Sequence, residues 1–249
     1  MRPLLFAANW KMHLGPRAAR EFFEAFLPRT PARPGREIWF FPPAVSLEPV
    51  ARAIAPRADL AAGAQDVYWE EKGAFTGAVS APLAAEAGAR AALVGHSERR
   101  HVFGETDAET GKKLRAVLAA GLEGVLCVGE LLAEREAGRT VDVVKRQLGA
   151  GLDGLDARAL ARVSVAYEPV WAIGTGKNAT PADAAAVHRE IRTFLADRGR
   201  AQARVLYGGS VNLKNIAALL AEPELDGVLV GGASLDPAAW SELVQTAAA

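Results

Sequence analysis

The sequence predicts an α/β fold in which eight parallel strands, each followed by a helix, close into a single (β/α)8 barrel spanning residues 1–249. Three observations predict it. Eight short apolar runs recur along the chain. Each is followed by small or polar residues and then by a stretch with helical spacing. No linker, low-complexity segment or shift in composition divides the 249 residues, and single α/β barrels commonly have this length.

The runs are Leu4–Ala8, Ile38–Phe41, Leu60–Ala64, Ala91–Gly95, Gly124–Val128, Val163–Tyr167, Arg204–Tyr207 and Gly227–Val230. Most are nearly continuous in apolar character, as strands covered on both faces are. Between them, Arg17–Leu27 places Ala18, Phe22, Ala25 and Phe26 on one helical face, and Asp183–Leu195 does the same with Val187, Ile191 and Phe194. Thr180-Pro181 and Asp236-Pro237 each offer an N-cap residue followed by proline at the first helical position. Weaker helical patterns follow Val45, Ala81, Thr106, Thr140 and Val211. An open doubly wound sheet is the competing architecture. It needs a glycine-rich phosphate turn after its first strand, and Asn9-Trp10-Lys11 is no such turn.

Composition narrows the function. Hydrophobic residues make up 50% of the chain, enough for one large core, and 29 basic residues balance 29 acidic ones. That balance points away from nucleic acid and from an anionic membrane as partners. A small anionic substrate must instead be held by local fields, from a lysine, backbone N–H groups and helix N-termini. Cys127 is the single cysteine and forms no intramolecular disulfide, in keeping with a reducing compartment. Leu4–Ala8 is bracketed by Arg2, Pro3 and Asn9 and is too short for a signal peptide or a membrane span, so a cytoplasmic location is expected. His13, His96, His101 and His188 are scattered without ligand spacing, and no metal is expected.

The segment Tyr167–Lys177 carries the sharpest chemical signal. Glu168 ends a run that reads as a buried strand, where a carboxylate is unfavourable without a partner or a task. A Pro-Val-Trp start, a small-residue tip and two glycines follow, which suits a base on a rigid element beneath a lid. The segment alone is also compatible with an exposed strand-end carboxylate before an ordinary loop. In a barrel, however, the strand ends share one rim. That rim collects Asn9 and Lys11, Gln65, His96-Ser97-Glu98, Glu168, Gly208-Gly209-Ser210 and Gly231-Gly232. Each has a plain structural reading by itself; their joint placement favours a site.

Ala8-Asn9-Trp10-Lys11-Met12, Gly63-Ala64-Gln65, Gly73-Ala74-Phe75-Thr76-Gly77 and Gly95-His96-Ser97-Glu98-Arg99-Arg100 occur in that order. Cys127-Val128-Gly129-Glu130, Tyr167–Lys177, Tyr207-Gly208-Gly209-Ser210-Val211 and Val230-Gly231-Gly232-Ala233-Ser234-Leu235 follow. On these motifs the chain resembles the triosephosphate isomerases from end to end. Asp66 is one departure, since the family usually has Asn there, in the region of the subunit contact.

The resemblance implies a TIM barrel that interconverts dihydroxyacetone phosphate and D-glyceraldehyde 3-phosphate through an enediolate, in glycolysis and gluconeogenesis, without a cofactor. Glu168 resembles the base, and desolvation is expected to raise its pKa toward the working pH. His96 resembles the electrophile, kept neutral in this family by a helix N-terminus; Ser97-Glu98-Arg99 resembles such a helix start. Lys11 is implied to supply positive charge and Asn9 a donor to the carbonyl oxygen, with Glu98 holding Lys11 in place. Gly174, Ser210, Gly231 and Gly232 are implied to bind phosphate through backbone N–H groups under a closing lid. Cys127 is expected to pack rather than react. A Schiff-base aldolase is the enzymatic rival, but the last three strands lack the lysine it needs. A catalytically dead scaffold is the non-enzymatic rival, and such a chain is expected to have lost His96, Glu168 or the lid.

Assembly has its own signal. The loop Gly73–Gly77 carries Phe75 between glycines, favourable as an interface anchor. By resemblance it inserts into a second subunit of a homodimer, with Thr76 near the partner's Asn9–Lys11 segment. The sequence does not distinguish a dimer from a tetramer.

Overall fold

The computed structural model describes residues 3–173 and 179–246. Eight parallel strands form a closed barrel in chain order. They are β1 (Leu4–Asn9), β2 (Arg36–Phe41), β3 (Leu60–Ala64), β4 (Ala91–Val94), β5 (Glu123–Val128), β6 (Val163–Tyr167), β7 (Val205–Tyr207) and β8 (Gly227–Val230). The helices outside are α1 (Pro16–Arg29), α2 (Leu47–Ile54), α3 (Ala81–Glu86), α4 (Ser97–His101), α5 (Asp107–Ala119), α6 (Leu132–Glu136) and α7 (Thr140–Leu152). They continue with α8 (Ala157–Leu160), α9 (Pro181–Ala196), α10 (Ile216–Leu220) and α11 (Pro237–Thr246). The barrel closes where Leu5 to Ala8 of β1 pair with Gly227 to Val230 of β8.

Two apolar layers explain the continuous strands. Leu5, Ala7, Trp39, Phe41, Leu93, Cys127, Ala166 and Leu206 fill the barrel interior. Their neighbours Phe6, Ala8, Phe40, Val94, Leu126 and Val165 pack outward against the helices. Alternate residues thus face different cores, and the polar strand residues Asn9, Arg36, Glu37, Glu123 and Ser164 stand at or next to strand ends. Gly63 on β3 makes room inside, because a Cβ there would lie 2.4 Å from the Phe41 ring.

Most departures from the expected spans are at element ends. β4 stops at Val94 because Gly95 turns away at φ +70°. On α1 the buried stripe is Ala19, Phe22, Phe23 and Phe26, one position round from the expected Ala18 and Ala25, which are half-buried. Thr180 caps α9 in a reciprocal box with Asp183, and the Asp236 side chain accepts from Ala239 N–H at the start of α11. Short α6 and α8 were not anticipated; Asp156 caps α8 by accepting from Ala159 N–H. Among the described residues no helix is long and apolar enough to cross a membrane.

Candidate active site

Beyond β1 the chain makes a strained step. Lys11 has φ +51°, a conformation that non-glycine residues hold only when the surroundings insist. Three contacts hold it. Lys11 N–H donates to Asn9 Oδ1 (3.0 Å), its carbonyl accepts from Gln65 Nε2 (2.8 Å), and its Nζ reaches Glu98 Oε1 at 2.6 Å. With Oδ1 turned to the Lys11 N–H, Asn9 has its Nδ2 donor to offer a ligand. Gln65 therefore stands behind the rim as a brace and also donates to Phe41 O at 2.7 Å.

Glu168 follows β6 and is 2% exposed. Its Oε1 lies 2.9 Å from His96 Nε2, and its Oε2 accepts from Ser97 N–H at 2.8 Å. His96 precedes α4, and its Nδ1 accepts from Glu98 N–H (3.2 Å). An imidazole accepting at Nδ1 carries its proton on Nε2, aimed here at Glu168. The α4 start thus sets the tautomer and steadies the carboxylate.

These contacts correct one expectation. Burial pushes the Glu168 carboxyl up, but His96, the Ser97 N–H and Lys11 together outweigh it, and its pKa lies below the ordinary value. Burial holds the His96 pKa down, and Glu168 beside it more than offsets that, leaving it above the ordinary value. Burial acts in the expected direction and is outweighed, because the partner that offsets it, His96, is 72 residues away in sequence. Glu168 at rest is a weak base.

Asn9, Lys11, His96 and Glu168 share a cavity of about 260 Å³ with Gly208 to Val211 and Leu229 to Ala233. Among the described residues, the N–H groups of Ser210, Gly231 and Gly232 find no protein acceptor. Three donors on one wall of a cavity, with the Lys11 side chain alongside Gly231, suit an anion. Gly208 is required by proximity, since a Cβ there would come within 2.8 Å of Glu168 Cγ. Gly174, the remaining expected phosphate contact, lies outside the described residues, as do Thr175 to Asn178.

Cys127 is fully buried inside the barrel, and burial, with Glu168 second, raises its thiol pKa well above the ordinary value. Sequence reasoning missed two supports. Arg100 donates from Nε to Gly95 O (2.7 Å) and pairs with Asp107 at 2.6 Å, steadying the turn before His96. Glu130, with no exposed surface, accepts from Tyr167 Oη and Trp171 Nε1. Its signal was a carboxylate two residues beyond the apolar run Gly124–Val128. Among the described residues, no group of three His, Cys, Asp or Glu side chains is arranged to hold a metal ion.

A carboxylate, an imidazole and a lysine around a recess with a bare-backbone wall, at the C-terminal rim of a parallel barrel, define a barrel enzyme equipped to move protons on a small anion. The triosephosphate isomerase family profile matches residues 4–247. Triosephosphate isomerase of Symbiobacterium thermophilum is 46% identical, over 100% of this chain and 98% of its own. Those of Moorella thermoacetica and Thermus thermophilus are each 47% identical, over 98% of both chains for the first and over 99% and 100% for the second. The chain belongs to the triosephosphate isomerase family.

Proposed function

We propose that the chain, as one catalytic domain, interconverts dihydroxyacetone phosphate and D-glyceraldehyde 3-phosphate by proton transfer through an enediolate, serving glycolysis and gluconeogenesis. The observation that carries the assignment of roles is the convergence of Glu168, His96, Lys11 and Asn9 on one cavity that Ser210, Gly231 and Gly232 also line. Substrate phosphate accepts from the N–H groups of Ser210, Gly231 and Gly232. Its carbonyl oxygen accepts from Asn9 Nδ2 and lies in the field of Lys11, which Glu98 keeps extended.

The resting pair then has to open. When Glu168 turns from His96 and Ser97 N–H toward substrate, the groups that depress its pKa are lost while burial remains, so its basicity rises. The same movement takes from His96 the charge that raises its pKa, and burial with the Nδ1 hydrogen bond keeps the ring neutral. Glu168 removes a proton from the carbon beside the carbonyl and returns it to the neighbouring carbon. His96 gives its Nε2 proton to one enediolate oxygen and recovers a proton from the other. One motion thus readies both groups.

A homodimer completes the proposal. Phe75 is 41% exposed on a loop exposed from Glu70 to Ala78, and Met12, Val102 and Phe103 are exposed on neighbouring rim loops. Beside them lies a cavity of about 440 Å³ lined by Ala44, Gln65, Tyr68 and Phe103, among others. A second copy's Gly73–Gly77 loop fits that place, next to the strained Lys11 turn. The expected location is cytoplasmic.

The test is a coupled assay with glyceraldehyde 3-phosphate on wild type beside Glu168→Gln. Turnover by wild type and its loss in the variant are expected. An inactive wild type, or a variant as fast as wild type, would overturn the assignment.

A further inference from the structure

Glu130 sits at the end of β5 with its carboxylate sealed from solvent. Oε1 accepts from Tyr167 Oη (3.1 Å) and Trp171 Nε1 (2.9 Å), and Oε2 has no hydrogen-bond partner among the described residues. Its backbone carbonyl also accepts from Val170 N–H (3.1 Å). Glu130 therefore grips both sides of Glu168, through Tyr167 before it and Val170 and Trp171 after it. A buried carboxylate is unfavourable without a compensating charge.

Among the described residues, the one cation within 4.0 Å of Glu130 is Arg135 of α6, with Nη1 at 3.7 Å from Oε1. Its guanidinium does two more things. It lies 4.6 Å above the Trp171 ring, and its Nη2 donates to Asp183 Oδ1 at 3.0 Å. Asp183 is the residue whose other oxygen closes the Thr180 cap at the head of α9. Arg135 thus ties together the end of β5, the turn after β6 and the start of α9. A lysine has a comparable charge but not the planar fork needed to stack and bridge at once.

We propose that Arg135 is a positioning residue for Glu168, acting through Glu130 and Trp171. It touches neither the cavity nor any group assigned to substrate. Its charge permits a buried carboxylate at Glu130, and its plane fixes the Trp171 ring. Together these hold the turn from which Glu168 projects. The inference rests on the isomerase reading, because it is read out through the proton-transfer step that Glu168 performs.

Arg135→Met and Arg135→Lys are assayed beside wild type for kcat, KM, Tm and the Trp171 share of tryptophan emission, taken as the difference from the same protein carrying Trp171→Phe. Arg135→Met is expected to lower kcat about tenfold, below the ~10²-fold that a 1 Å misplacement costs, with KM within about twofold. Arg135→Lys is expected to recover part of the loss, and Trp171 emission to shift in the Met variant. Adding Glu130→Gln to Arg135→Met removes the uncompensated charge and is expected to raise kcat above that of Arg135→Met alone. A Met variant with wild-type kcat overturns the proposal, as does a fall in kcat matched by a rise in KM. If Arg135→Met fails to fold, Arg135→Lys decides, since wild-type kcat and emission there would overturn it. An inactive wild type would instead defeat the isomerase reading itself.

Discussion

The two ends of the barrel solve opposite problems. At the N-terminal end, charges are matched and geometry is relaxed. Arg204 grips Glu37 with two bonds of 2.9 Å, Arg192 reaches Asp226 at 2.8 Å, and Arg162 caps Leu118 O at 2.6 Å. At the C-terminal rim, Lys11 is held at φ +51°, Glu168 is buried against His96, and Ser210, Gly231 and Gly232 line a cavity with N–H groups that have no acceptor among the described residues. One end uses its polar groups to close the structure; the other keeps them available for a ligand. Strain and unsatisfied groups belong where substrate supplies what is missing.

Substitutions at the two ends are therefore expected to separate activity from stability. The largest effect is expected from His96→Gln, since losing a positioned acid–base group costs on the order of 10²–10⁴-fold in rate. Affinity for a phosphate analogue is expected to survive, because His96 acts at the carbonyl end. Inhibitor titration beside turnover checks this, and a parallel loss of both would make His96 a binding residue.

Glu168→Asp comes next. It withdraws the carboxylate by about 1 Å, with an expected fall in kcat on the order of 10²-fold and little change in KM. Near-wild-type kcat would remove Glu168 from the role of base.

The third effect reaches the rim from outside. Phe75→Asp with Thr76→Glu is expected to yield a folded monomer with turnover reduced about tenfold or more, because a buried aromatic anchor carries much of an interface and the proposed dimer has the partner steady Lys11. Sedimentation alongside the assay decides it, and a wild type that is monomeric and fully active would sink the idea.

At the opposite end, Arg204→Met breaks a partly buried bidentate pair worth about 2 kcal/mol. Tm is expected to fall by about 4–8 °C for a chain of this size. If kcat also changed more than about twofold, the separation between the two ends would not hold.

The smallest effect concerns acid. Glu168 has a lowered pKa in the folded, unliganded protein, so its contribution is complete above the ordinary value of 4.5 and is lost as pH falls through the depressed value. The Tm advantage of wild type relative to Glu168→Gln is thus expected to hold above the ordinary carboxylate value of 4.5 and to shrink as pH falls below it. A constant difference in melting on both sides of that value would mean the resting pair contributes nothing to stability.

Asp66 shows how a sequence departure gains meaning from its surroundings. It pairs with Lys113 at 2.6 Å, and Lys113 in turn reaches Glu105 at 2.6 Å and is almost wholly buried. Burial nonetheless leaves the Asp66 carboxyl above its ordinary value, despite Lys113 and Arg99. The position, expected in the region of the subunit contact, is part of an ionic cluster lining the cavity proposed to receive a second subunit.

Much of this protein was legible from sequence because the information is local. An apolar run states that both strand faces are covered, Thr180-Pro181 states where a helix starts, and a glutamate after a buried strand states that something must hold it. What the sequence alone did not determine depends on distance between remote residues. Continuous runs carry no alternation, so whether Ala7 or Ala8 faces the barrel interior is settled only when the sheet closes. The direction of the Glu168 shift depended on His96 lying 2.9 Å away, which no local pattern encodes. Arg135 reads as an ordinary helix-surface arginine until folding brings Glu130, Trp171 and Asp183 around it. Covering an apolar face is a property of a segment; the balance between desolvation and a neighbouring charge belongs to the folded whole.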